Sequence, residues 1–266
     1  MKTSWQAGAG AVLLAMALAL FGGNVIEPPL PSLETVLKRV AAQAEKEGEN
    51  DRAFRQHYAY TRTKVTEYRN AKGDLKKREE KKNVNDPHAA PPKFDSQPTV
   101  ARTRSPKDTE GKDAVTDTHS NVRGKAFKKK DFSLNDDLLN RFQIALTGRE
   151  MVNGRPALVL DFQPANKKLP ERNLKDRFIN KAAGRVWVDE EDYALTKADL
   201  HLTSKVNVVG GLVGAVWKFN YTFGRERTAD GLWFTRSVDW HLEGREVIVR
   251  RTVDYHEERT QVRKAR

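Results

Sequence analysis

From Phe142 to Tyr255, apolar and polar residues alternate with a period of two in one run after another, and turn signals separate the runs. Phe142, Ile144 and Leu146 alternate in the first run, and Leu158, Leu160 and Phe162 in the second. Between them stands Asn153-Gly154, the pair that suits a type I′ hairpin because both central residues need positive φ. Residues 184–189 and 195–202 form a further pair around the acidic turn Glu190-Glu191-Asp192. Trp217, Phe219, Tyr221 and Phe223 then put four aromatic side chains on one face of a strand. Asp230-Gly231 turns the chain, Val238, Trp240 and Leu242 face one way, and Val247, Val249, Val253 and Tyr255 finish the sheet around Gly244-Arg245. Strands joined by tight turns are antiparallel neighbours, each with one apolar face, so the sheet must curl or be covered.

Helical signals are few. Ser32 stands where an N-cap should, ahead of Leu33, Val36, Leu37, Val40 and Ala44, which share one helical face, and Gly48 and Asn50 are expected to close this helix. A second, shorter helix is expected over residues 133–141, with Leu134, Leu138 and Phe142 on one side. Between the two, Tyr58 and Tyr60 open a strand that runs through Tyr68, Asn70-Ala71-Lys72-Gly73 turns it, and a polar strand follows over 75–83. Two helices cannot layer a sheet this size on both faces. The pattern predicts a mainly β (α+β) fold: a strongly curved antiparallel sheet, or incomplete β-barrel, with the N-terminal helix and the short second helix packed on its concave side.

The first residues look like an address. Lys2 precedes an uncharged stretch over 7–21, and Ala17 and Ala19 have A-x-A spacing, which reads as a cleavable secretory signal over residues 1–23, with an uncleaved anchor as the alternative. A proline-rich linker covers 24–31, and residues 32–266 form a single domain carrying a basic insertion over 86–130.

Charge then narrows the function classes. The net charge is +12, of which residues 62–130 carry +9 and residues 131–255 only +1. A nucleic-acid arm would interleave stacking aromatics, and between 86 and 130 only Phe94 and Phe127 are available among five prolines. The insertion reads as a solvated loop or as a contact for anionic membrane, not as a nucleic-acid site. With no cysteine in the chain, thiolate catalysis and zinc or iron–sulfur sites built on cysteine are excluded. The six histidines are scattered, although His201 and His241 could meet across a sheet. Asp189-Glu190-Glu191-Asp192 lacks calcium-loop spacing and reads as a solvated tip. No nucleotide or hydrolase motif is present, so neither catalytic residues, metal ligands nor a cofactor are assigned and the chain is read as a non-enzyme.

What remains is apolar surface. Residues 206–216 (VNVVGGLVGAV) read either as a buried strand with a glycine-rich connection or as a flexible apolar lip beside the aromatic strand. The expected ligand-contacting residues are Val209, Leu212, Trp217, Phe219, Tyr221, Phe223, Leu158, Leu160 and Trp240.

Several runs also resemble a known family. Asp137-Leu138-Leu139-Asn140-Arg141-Phe142, Gly148-Arg149-Glu150 with Asn153-Gly154-Arg155-Pro156, Asp161-Phe162-Gln163-Pro164, and Gly184-Arg185-Val186-Trp187-Val188-Asp189 followed by Lys197-Ala198 are similar to the periplasmic proteins related to outer-membrane lipoprotein-sorting carriers. Tyr58-Ala59-Tyr60 and the Gly73 turn resemble that group's first hairpin. The resemblance covers most of the chain after the signal, except 86–130. It implies an incomplete barrel closed by helices, a periplasmic location, and an acyl lipid or lipoprotein held in an apolar cavity. It implies no catalytic residues. The alternative function is an envelope interaction protein that contacts anionic membrane through the insertion.

Overall fold

The alternating runs assemble into one sheet. A computed structural model describes residues 28–89, 119–120, 126–127, 136–208, 214–246 and 248–265. In chain order the elements are α1 (Leu33–His57), β1 (Tyr58–Arg69), β2 (Leu75–Asn85), β3 (His119–Ser120), β4 (Ala126–Phe127), α2 (Asp136–Leu139), β5 (Phe142–Val152), β6 (Arg155–Pro164), α3 (Leu174–Ile179), β7 (Ala182–Asp189), β8 (Leu195–Leu202), β9 (Val206–Val208), β10 (Gly214–Arg227), β11 (Trp233–Glu246) and β12 (Val249–Lys264). Ten strands form an antiparallel sheet in the order β2-β1-β12-β11-β10-β8-β7-β6-β5, with β9 pairing β10 beside this path. β2 and β5 stand at its two edges, so the sheet is not closed into a barrel. The expected signal over 1–23 and most of the basic insertion lie outside the described residues; β3 and β4 pair only with each other.

Local chemistry sets the elements. Ser32 caps α1 as expected, its Oγ accepting from the Thr35 N–H at 3.2 Å. The helix does not end at Gly48 but continues to His57. Tertiary contacts overrule the local stop signal there: Asn50 Nδ2 donates to the Trp233 carbonyl at 2.6 Å and its Oδ1 accepts from the Trp233 N–H at 2.9 Å. Farther on, Phe54 stacks on Phe234 and Tyr58 at 4.9 and 5.2 Å between ring centroids. A Cβ at Gly48 would meet nothing within 4 Å. Gly48→Ala is therefore expected to stabilise the protein by roughly 0.5–1 kcal/mol, read as a raised urea midpoint, because a helix-interior glycine carries excess unfolded-state entropy.

Asn153 and Gly154 adopt φ of 50° and 76°, as the hairpin between β5 and β6 demands. β11 passes straight through Gly244-Arg245 to Glu246. Glycine serves close approach at that point, since a Cβ on Gly244 would lie 2.7 Å from the Ala215 carbonyl oxygen of β10. α3 was not anticipated; Asn173 is its N-cap, accepting from the Asp176 N–H at 2.9 Å.

One face of the sheet, called the inner face here, receives α1. Val36 packs on Leu158 and Leu160 of β6 and Val188 of β7, all with at most 2% of their surface exposed, flanked by Leu33, Leu37 and Val40. At its other end α1 sets Phe54 among Tyr58, Tyr60 and Phe234. Glu47, between them, pairs with Arg225 of β10. The helix thus crosses one end of the strands, and its apolar stripe fills that end of the inner face.

Candidate functional site on the inner face

Register extends the inner face beyond the helix. Phe219, Tyr221 and Phe223 on β10 stand opposite Leu242, Trp240 and Val238 on β11. Trp240 and Leu242 in turn oppose Tyr255 and Val253 on β12, and these oppose Thr66 and Tyr68 on β1. Tyr221 and Phe223 face Leu200 and Ala198 of β8 on the other side. The rings touch in sequence: Phe219–Tyr221 at 6.4 Å, Tyr221–Phe223 at 6.1 Å, Phe219–Trp240 at 6.4 Å, and Trp240 stacked on Tyr255 at 5.3 Å. Trp240, Val238 and Ala198 are buried, whereas Phe219, Tyr221, Phe223, Leu242, Val253, Tyr255 and Tyr68 are only half-buried. A tract of this size that the fold's own helix leaves partly open is an apolar surface available to a ligand.

The residues expected to contact ligand divide. Phe219, Tyr221, Phe223 and Trp240 come together in the tract. Leu158 and Leu160 lie elsewhere on the inner face, sealed beneath Val36 of α1. Val209 and Leu212 fall outside the described residues. Trp217 leaves the aromatic row: a β-bulge between Val216 and Lys218 shifts the register, so its Nε1 reaches Glu243 at 3.4 Å on the outer face beside Lys218. An inserted residue turns a side chain away from strict alternation, which the sequence pattern did not reveal. Away from the tract, one cavity of about 310 Å³ opens between the turn at Ala71 and Arg250 of β12 and another of about 540 Å³ beside Tyr58, Asp230 and Lys264.

A charged border that sequence reading missed closes the tract on the β1–β12 side. Glu257, with 2% of its surface exposed, accepts two hydrogen bonds from Arg62 at 2.6 and 2.8 Å and one from the Tyr255 hydroxyl at 2.6 Å. Lys64 and Arg259 stand 3.5 and 3.8 Å away. Burial alone would push the Glu257 carboxyl up, but the Arg62 hydrogen bonds and charge, with Tyr255 and Lys64, bring it down to about 2. The signal available was register: Arg62 and Lys64 share a strand face with Tyr58 and Tyr60.

The acidic turn is not a solvated tip. Asp189 is wholly buried, takes Arg155 Nε at 2.6 Å and Nη2 at 2.9 Å, and accepts the N–H groups of Glu191 and Asp192. Asp189, Glu191 and Asp192 do converge closely enough to hold a cation. The Arg155 guanidinium lies among all three, at 2.6, 2.7 and 3.9 Å, and supplies the positive charge itself. Arg227 and Trp233 Nε1 bind Asp192 as well, at 2.7 and 2.9 Å. The cluster ties the β5–β6 hairpin, the β7–β8 turn and β11 together.

His201 and His241 do not meet: each stands opposite Asn220, one on either side of β10. His241 instead bridges Asp254 at 2.7 Å and Glu243 at 2.9 Å on the outer face. Burial would lower its pKa, and these two carboxylates raise it above the ordinary 6.5. A raised folded pKa means that this group's stabilisation is fully present below pH 6.5 and is lost as pH rises through the folded value. His241→Asn is expected to flatten that decline in a series of urea midpoints taken from pH 6 upward; an unchanged slope would assign it to another group.

Compared with solved structures, the chain resembles a protein domain from Vibrio parahaemolyticus described as outer membrane lipoprotein-sorting, at 12% identity over 86% of this chain and 93% of that one, with a TM-score of 0.31. It is also similar to a LolA superfamily protein from Nitrosomonas europaea (9% identity, 89% and 94% coverage, TM-score 0.31). A DUF1329 family protein from Desulfovibrio piger gives 13% identity, 86% and 92% coverage and a TM-score of 0.29. No family model and no curated protein matches the chain.

Proposed function

We propose that this protein is a binding protein, not an enzyme, that holds an acyl chain of a lipid or lipoprotein against the inner face of its sheet. The observation that carries the reading is the tract of half-buried Phe219, Tyr221, Phe223, Leu242, Val253 and Tyr255 around buried Trp240, which α1 leaves partly open while it seals Leu158 and Leu160. Each methylene removed from water contributes about 0.8 kcal/mol, so ten give about 8 kcal/mol. Before ordering costs that corresponds to roughly micromolar affinity, enough for a carrier that must also release. The signal-like residues 1–23 support export, and with it a periplasmic location for such a carrier.

The test is direct. The protein purified from cells should carry lipid detectable by mass spectrometry, and a fluorescent fatty acid should bind it and be displaced by unlabelled fatty acid. Phe219→Asp, which sets a charge among the rings of the tract, is expected to weaken probe binding at least tenfold. Met151→Asp, at a side chain 67% exposed on β5, should leave it unchanged. Absence of both co-purified lipid and probe binding would defeat the proposal.

A further inference from the structure

Two hairpin tips meet at the end of the sheet opposite the Asn153-Gly154 turn. The register runs Leu75, Arg69, Thr252, Glu243, Lys218 across β2, β1, β12, β11 and β10. Beyond that row β1 and β2 end in the turn of residues 70–74, while β11 and β12 stay paired for three more residues, to Glu246 opposite Val249, before residues 247–248 join them. Of the seven large apolar side chains exposed among the described residues, four gather at this end: Ile248 at 87%, Val249 at 52%, Leu75 at 47% and Trp217 at 37%. Tight turns ordinarily use glycine, asparagine, aspartate or proline, yet the β11–β12 turn reads Glu246-Val247-Ile248-Val249. Apolar β-branched residues such as Ile248 and Val249 do nothing for the turn itself, and exposure on this scale is what an interaction surface requires.

Cations surround the apolar group. Residues 72–77 and 245–251 contain six lysines and arginines against two acids, Asp74 and Glu246. The Arg250 guanidinium lies 5.8 Å from the Trp217 ring centre. Ala71, Trp217, Arg250, Arg251, Glu243 and Thr252 line a shallow space of about 310 Å³ between the tips. Tryptophan and aliphatic side chains ringed by lysine and arginine match one chemical partner, a lipid headgroup layer carrying negative charge: indole and aliphatic groups enter the acyl boundary while the cations stay among the phosphates. A soluble acidic partner would be met by the charges alone and would leave Ile248 and Val249 unexplained.

We propose that this end of the sheet, with Ile248, Val249 and Trp217 at its tip and Arg245, Arg250, Arg251, Lys72 and Lys76 around them, docks on an anionic lipid bilayer. The surface stands on its own residues and does not depend on the acyl-chain reading. Where both hold, the tract opens toward the bilayer, because Phe219, Leu242, Val253 and Tyr68 form the row next to the docking end.

The absence of cysteine allows a site-specific test on the full chain. Ile248→Cys, labelled with an environment-sensitive fluorophore, is mixed with vesicles of phosphatidylcholine containing phosphatidylglycerol, and Met151→Cys at the opposite end of the sheet serves as the comparison. The expected result is a several-fold rise and blue shift of emission at position 248, quenched by bilayer-embedded quencher, with no response at 151 and little response to neutral vesicles. Arg250→Glu/Arg251→Glu should weaken the response at least tenfold in vesicle concentration while leaving the melting temperature and vesicle-free fatty-acid binding intact, which separates this proposal from the acyl-chain reading. The docking surface is refuted if label 248 stays in water while the protein sediments with anionic vesicles, if labels 248 and 151 respond alike, or if no binding occurs.

Discussion

Methionine in place of Arg155 is expected to lower the free energy of unfolding by about 3–5 kcal/mol, the range found when one partner of a buried ion pair is removed. Asp189 has no solvent exposure, and without Arg155 its charge would face Glu191 and Asp192 with only two backbone N–H groups as partners. Burial by itself pushes the Asp189 carboxyl up; the Arg155 hydrogen bonds and those from the backbone of Asp192 and Glu191 bring it below its usual range. Urea denaturation at pH 7 measures the loss, and a change below 1 kcal/mol would show the pair to be dispensable. The double variant Arg155→Met/Asp189→Leu should recover much of the loss, since it removes both charges together.

Acid should unfold this protein partly through Glu257. The carboxyl titrates at about 2 when folded, against an ordinary value of 4.5. A depressed folded pKa contributes stability that is present above pH 4.5 and disappears as pH falls toward 2, roughly 3 kcal/mol in all. Glu257→Gln is expected to remove this part of the acid limb and to lower stability at neutral pH, because Arg62, Lys64 and Arg259 would lose their shared carboxylate. Urea midpoints from pH 7 to 2.5 check both. An acid limb as steep in the variant as in the parent would point to other carboxylates, Asp189 first among them.

Much of the fold was legible because its determinants are local. Period-two alternation, Asn153-Gly154 and Asp230-Gly231 located strands and hairpins, and Ser32 located the start of α1. The end of α1 was not legible, since it is held by Asn50 and Phe54 meeting Trp233 and Phe234 far along the chain. Alternation also identified Phe219, Tyr221, Phe223 and Trp240 as one face. It could not tell that α1 would cover Leu158 and Leu160 and stop short of Phe219, which depends on where a helix crosses the strands. Trp217 escaped because a bulge breaks the rule that located its neighbours. Asp189 escaped because a run of acids has no visible partner in sequence, and Arg155 arrives only when two hairpins are laid side by side.

The pairing of β1 with β12 fixes the timing of assembly. Tyr58 stands opposite Lys264 and Arg69 opposite Thr252, so the β1–β2 hairpin has no route into the sheet until residues 249–264 exist. A chain emerging from the ribosome can zip β5 through β8 as successive hairpins and lay Val36 of α1 on Leu158, Leu160 and Val188, but its first strand must wait for the last. Such long-range closure is slow to form and late to become cooperative, which keeps the β1–β2 hairpin open to chaperones until synthesis has passed residue 264.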